Sequence, residues 1–175
     1  MNLEARKYPI GHTKYHDQLS PELIKVMIAD MAALPADLRA VVAKLTKQQR
    51  QQSYREGGWT ATQIIHHIAD SHANCLIRLK LTLTEDNPTV KPYDENLWAE
   101  LPDSLVENYE PSLRMVEGLH ERICTVLSSM ALEDFERTYF HPGYQKTFTL
   151  REMLCLYHWH GRHHLGQIRV ILSDK

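Results

Sequence analysis

The chain has 175 residues, enough for one sizeable core and short for two. At 43% hydrophobic and 24% charged residues it reads as an ordinary globular protein, and a formal net charge of -2 excludes a general nucleic-acid binder with a basic face. Three widely spaced cysteines without a CxxC pair exclude a zinc knuckle and a disulfide framework, which leaves eleven histidines as the departure from ordinary usage.

The opening "MNLEARKYPIGHTKY" lacks the apolar core of a signal peptide. No apolar run approaches the ~20 residues of a membrane span, so a reducing, cytoplasmic setting without a membrane partner is expected. "LSPELIKVMIADMAAL" opens with Ser20 as N-cap and Pro21 at the first helical position. Pro35 is expected to break that run, leaving "PADLRAVVAKL" as a second helical piece. "TATQIIHHIADSHANCLIRLKLTLTE" starts with Thr60 and Gln63 in capping-box positions. "DNPTVKPYDENLWAELPDSLVENYEP" reads as a long polar connection with four prolines. "SLRMVEGLHERICTVLSSM" follows as a helix with an apolar face at Leu113, Val116, Leu119, Ile123 and Leu127. "ALEDFERTYFHPGYQKTF" is a turn-rich connector, and no β-hairpin is expected in the chain. Thr149 and Glu152 form another capping box, opening "LREMLCLYHWHGRHHLGQIRVILS". The reading is an all-α chain, a single helical-bundle domain over 1–175, in which a metal site would be built from facing helices.

The histidines sort by helix face. In the last helix, Met153, Leu154, Tyr157, Leu165, Ile168, Ile171 and Leu172 define a buried arc. His160 and His164 fall at its edge and within it, His163 points away from its centre line, and Arg162, Arg169 and His158 lie towards solvent. Residues four apart on a helix have Cβ atoms ~5–6 Å apart, so His160 and His164 can converge on one ion at ~2 Å from each nitrogen. The competing reading is two core-edge imidazoles hydrogen-bonded across the bundle. A third ligand would come from "HHIADSH". His66 points away from that helix's apolar arc, His72 sits mid-arc, and His67 lies on its flank in a polar stripe with Ser71, Asn74 and Arg78. Periodicity leaves His67 and His72 both open. Gly161 stands where a zincin carries its glutamate, and Glu-x-x-His pairs are missing around these histidines, which disfavours metalloprotease and di-iron chemistry. The cysteines Cys75, Cys124 and Cys155 read as structural.

Taken together, "YPIG" (8–11), "YREGGWTATQIIHHIADSHANCLIRLKLTLTE" (54–85), "KPYDENLW" (91–98), "FHP" (140–142) and "LYHWHGRHHLGQI" (156–168) make the chain resemble the DinB/YfiT-like superfamily over nearly its whole length. The resemblance implies an up-down-down-up four-helix bundle with short extra helices, one divalent metal per chain (zinc or nickel) held by His67, His160 and His164, and a homodimer. Arg162 departs from the family's histidine run without touching those three.

Three neutral imidazoles leave a coordination position open, as catalytic rather than structural sites do. That position can take water for hydrolysis or a thiol, which a metal deprotonates. The second resembles the family's branches that use bacillithiol, mycothiol or glutathione. Asn74, Arg78 and Tyr93, with Lys80 and Lys91, are expected to bind the carboxylates of such a thiol; plain surface charge is the competing reading for the basic residues. The expectation is therefore a metal-dependent thiol S-transferase acting on a small electrophile. A metal-dependent hydrolase is the alternative, and a non-catalytic metal-holding stress protein a third reading.

Overall fold

Capping signals set where the long helices begin. Ser20 Oγ accepts the Leu23 N–H with Pro21 in the first turn, and Thr60 and Thr149 form reciprocal capping boxes with Gln63 and Glu152. The structure, a computed structural model, describes residues 2–174. In chain order these form α1 (Leu3–Lys7), α2 (Pro21–Val42), α3 (Lys47–Arg50), α4 (Ala61–Thr84), α5 (Glu95–Ala99), α6 (Pro102–Leu105) and α7 (Glu110–Ser129). A 3₁₀ turn (Leu132–Glu136), β1 (Thr138–His141), β2 (Lys146–Thr149) and α8 (Leu150–Ser173) complete the fold.

The long helices α2, α4, α7 and α8 make the bundle. α2 and α4 each pack against α7 and α8 and sit diagonally from one another. Their directions follow from the cross-links. Cys124 meets Ile28 and Arg39 meets Glu110, so α2 and α7 are antiparallel. His66 meets Ser112 and His72 meets His120, so α4 and α7 are parallel. Arg78 meets Tyr157 and His72 meets His160, so α4 and α8 are antiparallel. The order is up-down-down-up, the topology the resemblance implies. Among the described residues no helix is long and apolar enough to cross a membrane.

The core falls into two apolar clusters. One gathers Met27, Met31, Leu79, Ile123, Met153 and Leu154; the other gathers Leu34, Leu38, Ile65, Ile68, Val116 and Ile168. Between them, where each helix passes from one cluster to the other, lie His72, His120, His160 and His164. Gly161 lets the helices close at that level, because a Cβ there would stand 2.1 Å from Leu34 Cδ2 and 3.3 Å from His72 Cε1.

Two expectations from the sequence are corrected. α2 runs unbroken through the buried Pro35. A proline inside a helix costs ~3 kcal/mol or more, whereas each buried leucine such as Leu34 or Leu38 returns ~1.5–3 kcal/mol, so packing outweighs the break. The connector before α8 also contains an antiparallel hairpin, with Thr138 opposite Thr149 and Tyr139 opposite Phe148. Its loop uses Gln145 at φ 50 rather than an Asn-Gly or Asp-Gly pair, which removes the usual signal. The strands are held by burial of Tyr139 and Phe148, stacked 5.7 Å apart, and by Phe140 pairing with the 88–90 backbone.

Candidate metal centre

The antiparallel seam of α4 and α8 brings His67 opposite one turn of α8, where the i, i+4 pair His160 and His164 stack. One nitrogen from each of the three rings lies within 4.8 Å of the others. His67 Nε2 and His160 Nε2 are 3.2 Å apart, close to the ~3.3–3.4 Å separating two imidazole nitrogens that share a tetrahedral zinc. His67 and His164 are buried and His160 is half-buried.

Ligation needs neutral rings with a free lone pair. Burial pushes His67 down to about 4 and His164 to about 3, and holds His160 well below the ordinary value, with the neighbouring imidazoles adding to the effect. All three are therefore neutral at pH 7. The hydrogen bonds also free the correct atom of His164. Gln167 donates from Nε2 to the Lys7 carbonyl at 3.0 Å, which turns its Oε1 towards His164 Nδ1 at 2.9 Å. A carbonyl oxygen only accepts, so His164 carries its proton on Nδ1 and leaves Nε2 bare. The donor set fits one divalent ion.

Other histidines settle elsewhere. His66, off the apolar arc of α4, is buried by α6 and the start of α7, contacting Ser112 Oγ at 2.8 Å and the Val106 carbonyl at 3.1 Å, and is not among the three converging rings. His163 is also buried, because the N-terminal segment packs over that face. Tyr8 lies beside it, Trp159 stacks on it at 4.2 Å, and Gln167 donates to its Nε2. Arg162 is not on the solvent side but in the α2–α8 seam, ion-paired with Asp30 and Asp37. His158 bonds Asp30 at 2.9 Å near the surface. His72 and His120 touch each other at 2.7 Å in the core.

A cleft of about 550 Å³ opens over the three candidate ligand rings, walled by Trp59, Tyr93, Tyr157 and Trp159. Trp59 lies 4.5 Å from the His67 ring, centre to centre. Arg78 enters the cleft between Tyr157 Oη and the Lys91 carbonyl, both at 3.4 Å, and its Nε is buried with no partner among the described residues. His141 Nδ1, from β1, is in the same condition. Burial raises the Tyr93 and Tyr157 phenols, so both stay protonated at neutral pH. Asn74 is set apart: its amide donates to the Asp70 carbonyl at 2.9 Å, and it does not line the cleft. Lys80 is exposed, and Lys91 contributes its backbone. The one carboxylate lining the cleft among the described residues is Glu95, at the start of α5. The sequence reading gave Glu95 and His141 no role: both lie in segments that it used for the resemblance, "KPYDENLW" and "FHP", but read as connections, without helical periodicity to set a face. Cys75, Cys124 and Cys155 are buried free thiols, all pushed up by burial and thus protonated.

The sequence pattern described as the DinB superfamily matches residues 31–168. A Bacillus cereus (strain AH820) protein named "Putative metal-dependent hydrolase" is 46% identical over 162 residues, 93% of this chain and 92% of that one. An Oceanobacillus iheyensis protein of the same designation is 43% identical over 169 residues, 97% of each chain. The solved structure of YfiT from Bacillus subtilis, described as a probable metal-dependent hydrolase with an unusual four-helix bundle topology, superposes with a TM-score of 0.92 at 39% identity, covering 95% of each chain.

Proposed function

This chain belongs to the DinB superfamily, and from that premise we propose that it is a hydrolase dependent on one zinc or nickel ion held by His67, His160 and His164. The convergence of three neutral imidazoles from α4 and α8 carries the reading. When bound, such an ion supplies a Lewis acid with an open position that activates a water or thiol nucleophile. Borderline metals such as zinc and nickel suit imidazole donors.

The remaining chemistry belongs to the cleft. Arg78 lines the cleft with a guanidinium whose Nη groups make only long contacts, 3.4 Å each, to Tyr157 Oη and the Lys91 carbonyl, and so suits a carboxylate on the substrate. Trp59, Tyr157 and Trp159 wall the site with aromatic surface and restrict water. Glu95 is the candidate general base, taking a proton from the attacking nucleophile. Glu95 is an exposed carboxylate that lines the same cleft as the three histidines, and this favours hydrolysis over thiol transfer. The name shared by the relatives supports the same choice.

A second reading, transfer of a small thiol such as bacillithiol to an electrophile, is favoured by Arg78, because such a thiol carries carboxylates. It also draws on charge: a thiolate offsets the charge of a metal in an all-imidazole set better than water does. The test offers zinc-loaded protein ester and amide panels without thiol, and monochlorobimane with bacillithiol. Thiol-independent, metal-dependent turnover lost in His67→Ala is expected. Conjugation that requires the thiol, with no ester or amide turnover, would replace hydrolysis by thiol transfer. Inactivity in both arms would leave a metal-holding protein.

A further inference from the structure

Three buried polar groups run from the core of α2 to the candidate ligand His160 and serve none of the chemistry above. Within α2, Met31 is the residue whose carbonyl would accept the backbone N–H of residue 35. Residue 35 is proline, which has no N–H, so that carbonyl lacks its helical donor. His120 Nδ1, from α7, lies 2.6 Å from the Met31 oxygen instead. His120 Nε2 lies 2.7 Å from His72 Nδ1, and His72 Nε2 lies 3.2 Å from His160 Nδ1. His72 and His120 are 0% and 1% exposed, so no water competes for these atoms.

The direction of every bond follows from its end. A carbonyl can only accept, so His120 holds its hydrogen on Nδ1 and offers a lone pair at Nε2. His72 must then donate from Nδ1, which leaves its Nε2 to accept. His160 must donate from Nδ1 in turn. Its Nε2 is left without a hydrogen, facing His67 Nε2 at 3.2 Å and Ser71 Oγ at 3.5 Å. Two stacked imidazoles between two apolar clusters would be a poor choice for packing alone, since each buries two polar atoms that apolar side chains would not.

We propose that Pro35, the Met31 carbonyl, His120 and His72 form a positioning relay that holds His160 in the Nδ1–H tautomer, with Nε2 directed at the metal position. The inference rests on the three-histidine reading and adds four residues that do not touch the ion. Outer-shell partners of ligating histidines typically change metal affinity 10- to 100-fold, and His120→Leu is expected to weaken Zn²⁺ binding by an amount in that range. His120→Gln should restore most of the affinity, because its amide can donate to Met31 and accept from His72. Pro35→Ala returns an N–H to Met31; it should leave the fold as stable or more so while weakening Zn²⁺. A merely structural role would move stability and affinity together.

The experiment pairs Zn²⁺ titration of these variants with long-range ¹⁵N–¹H NMR of the imidazoles in metal-free wild-type protein, a readout that stands even if His120→Leu fails to fold. The expected spectrum has His160, His72 and His120 all protonated at Nδ1. A His160 protonated at Nε2, or Zn²⁺ affinity unchanged in both folded His120→Leu and Pro35→Ala, would overturn the relay. A wild-type protein that takes up no Zn²⁺ would instead remove the three-histidine reading, and the purpose of the relay with it.

Discussion

A buried imidazole is stable when neutral and hydrogen-bonded, and His66, His72, His120 and His164 each find such partners, whereas His141 Nδ1 and His163 Nδ1 have none among the described residues. The i, i+4 pair His160 and His164 was legible because spacing alone puts two rings on one helix face. Periodicity could not separate His67 from His72, since both lie on or beside the apolar arc of α4. The structure distinguishes them by what the ring meets: His67 reaches across the seam to His160 Nε2, whereas His72 meets His160 from the opposite atom. His120 was passed over in favour of Leu119, yet Leu113, Val116, His120, Ile123 and Leu127 keep the 3-4-3-4 spacing of a buried stripe. His120 is buried and Leu119 only half so. Arg78 lines the cleft where a substrate carboxylate would bind. Losing a charge-assisted hydrogen bond costs ~1.5–3 kcal/mol, so Arg78→Gln should raise KM for carboxylate-bearing substrates ~10-fold or more, with kcat little changed. The check compares a carboxylate substrate with its neutral analogue; an equal effect on both would contradict a carboxylate-binding role.

The long helices declare themselves through caps and apolar stripes, and their ends at Ser20, Thr60 and Thr149 were legible for that reason. The unbroken course of α2 was not, because the proline rule is local while the burial that overrides it is tertiary. The hairpin was equally hidden, for its four-residue strands draw stability from Tyr139–Phe148 stacking and from the 88–90 segment, contacts distant in sequence. Both departures bear on the site. Pro35 frees a carbonyl next to the histidine layer, and the hairpin carries His141 to the cleft and delivers Thr149 directly as the cap of α8. The close approach of α2 and α8 depends on Gly161. With a Cβ meeting Leu34 at 2.1 Å, Gly161→Ala should destabilise the fold by ~1–3 kcal/mol, the usual cost of overpacking a filled core. Urea unfolding measures this, and a midpoint at or above wild type would show that Leu34 can move aside.

Across the whole molecule, two apolar clusters hold a layer of histidines between them, and that layer makes stability depend on pH and metal together. His67, at about 4, and His164, at about 3, are held below the ~6.5 of an unfolded histidine. Between those values the unfolded chain binds more protons than the folded one, so their contribution is complete above ~6.5 and is lost as pH falls towards 4 and below, by ~1.4 kcal/mol per group per pH unit. Metal-free protein should therefore show urea midpoints that drop steeply from pH 6.5 to 4; a flat profile over that range would contradict neutral burial of these rings. Saturating metal adds stability by mass action, ~4 kcal/mol at a thousand times Kd. Metal content of purified, zinc-reconstituted protein tests directly whether one ion sits at His67, His160 and His164. Wild type and His158→Ala should each retain one equivalent of zinc per chain, and His67→Ala, His160→Ala and His164→Ala should each lose it while remaining folded. Zinc retained in all three ligand variants, or lost equally in His158→Ala, would contradict the assignment.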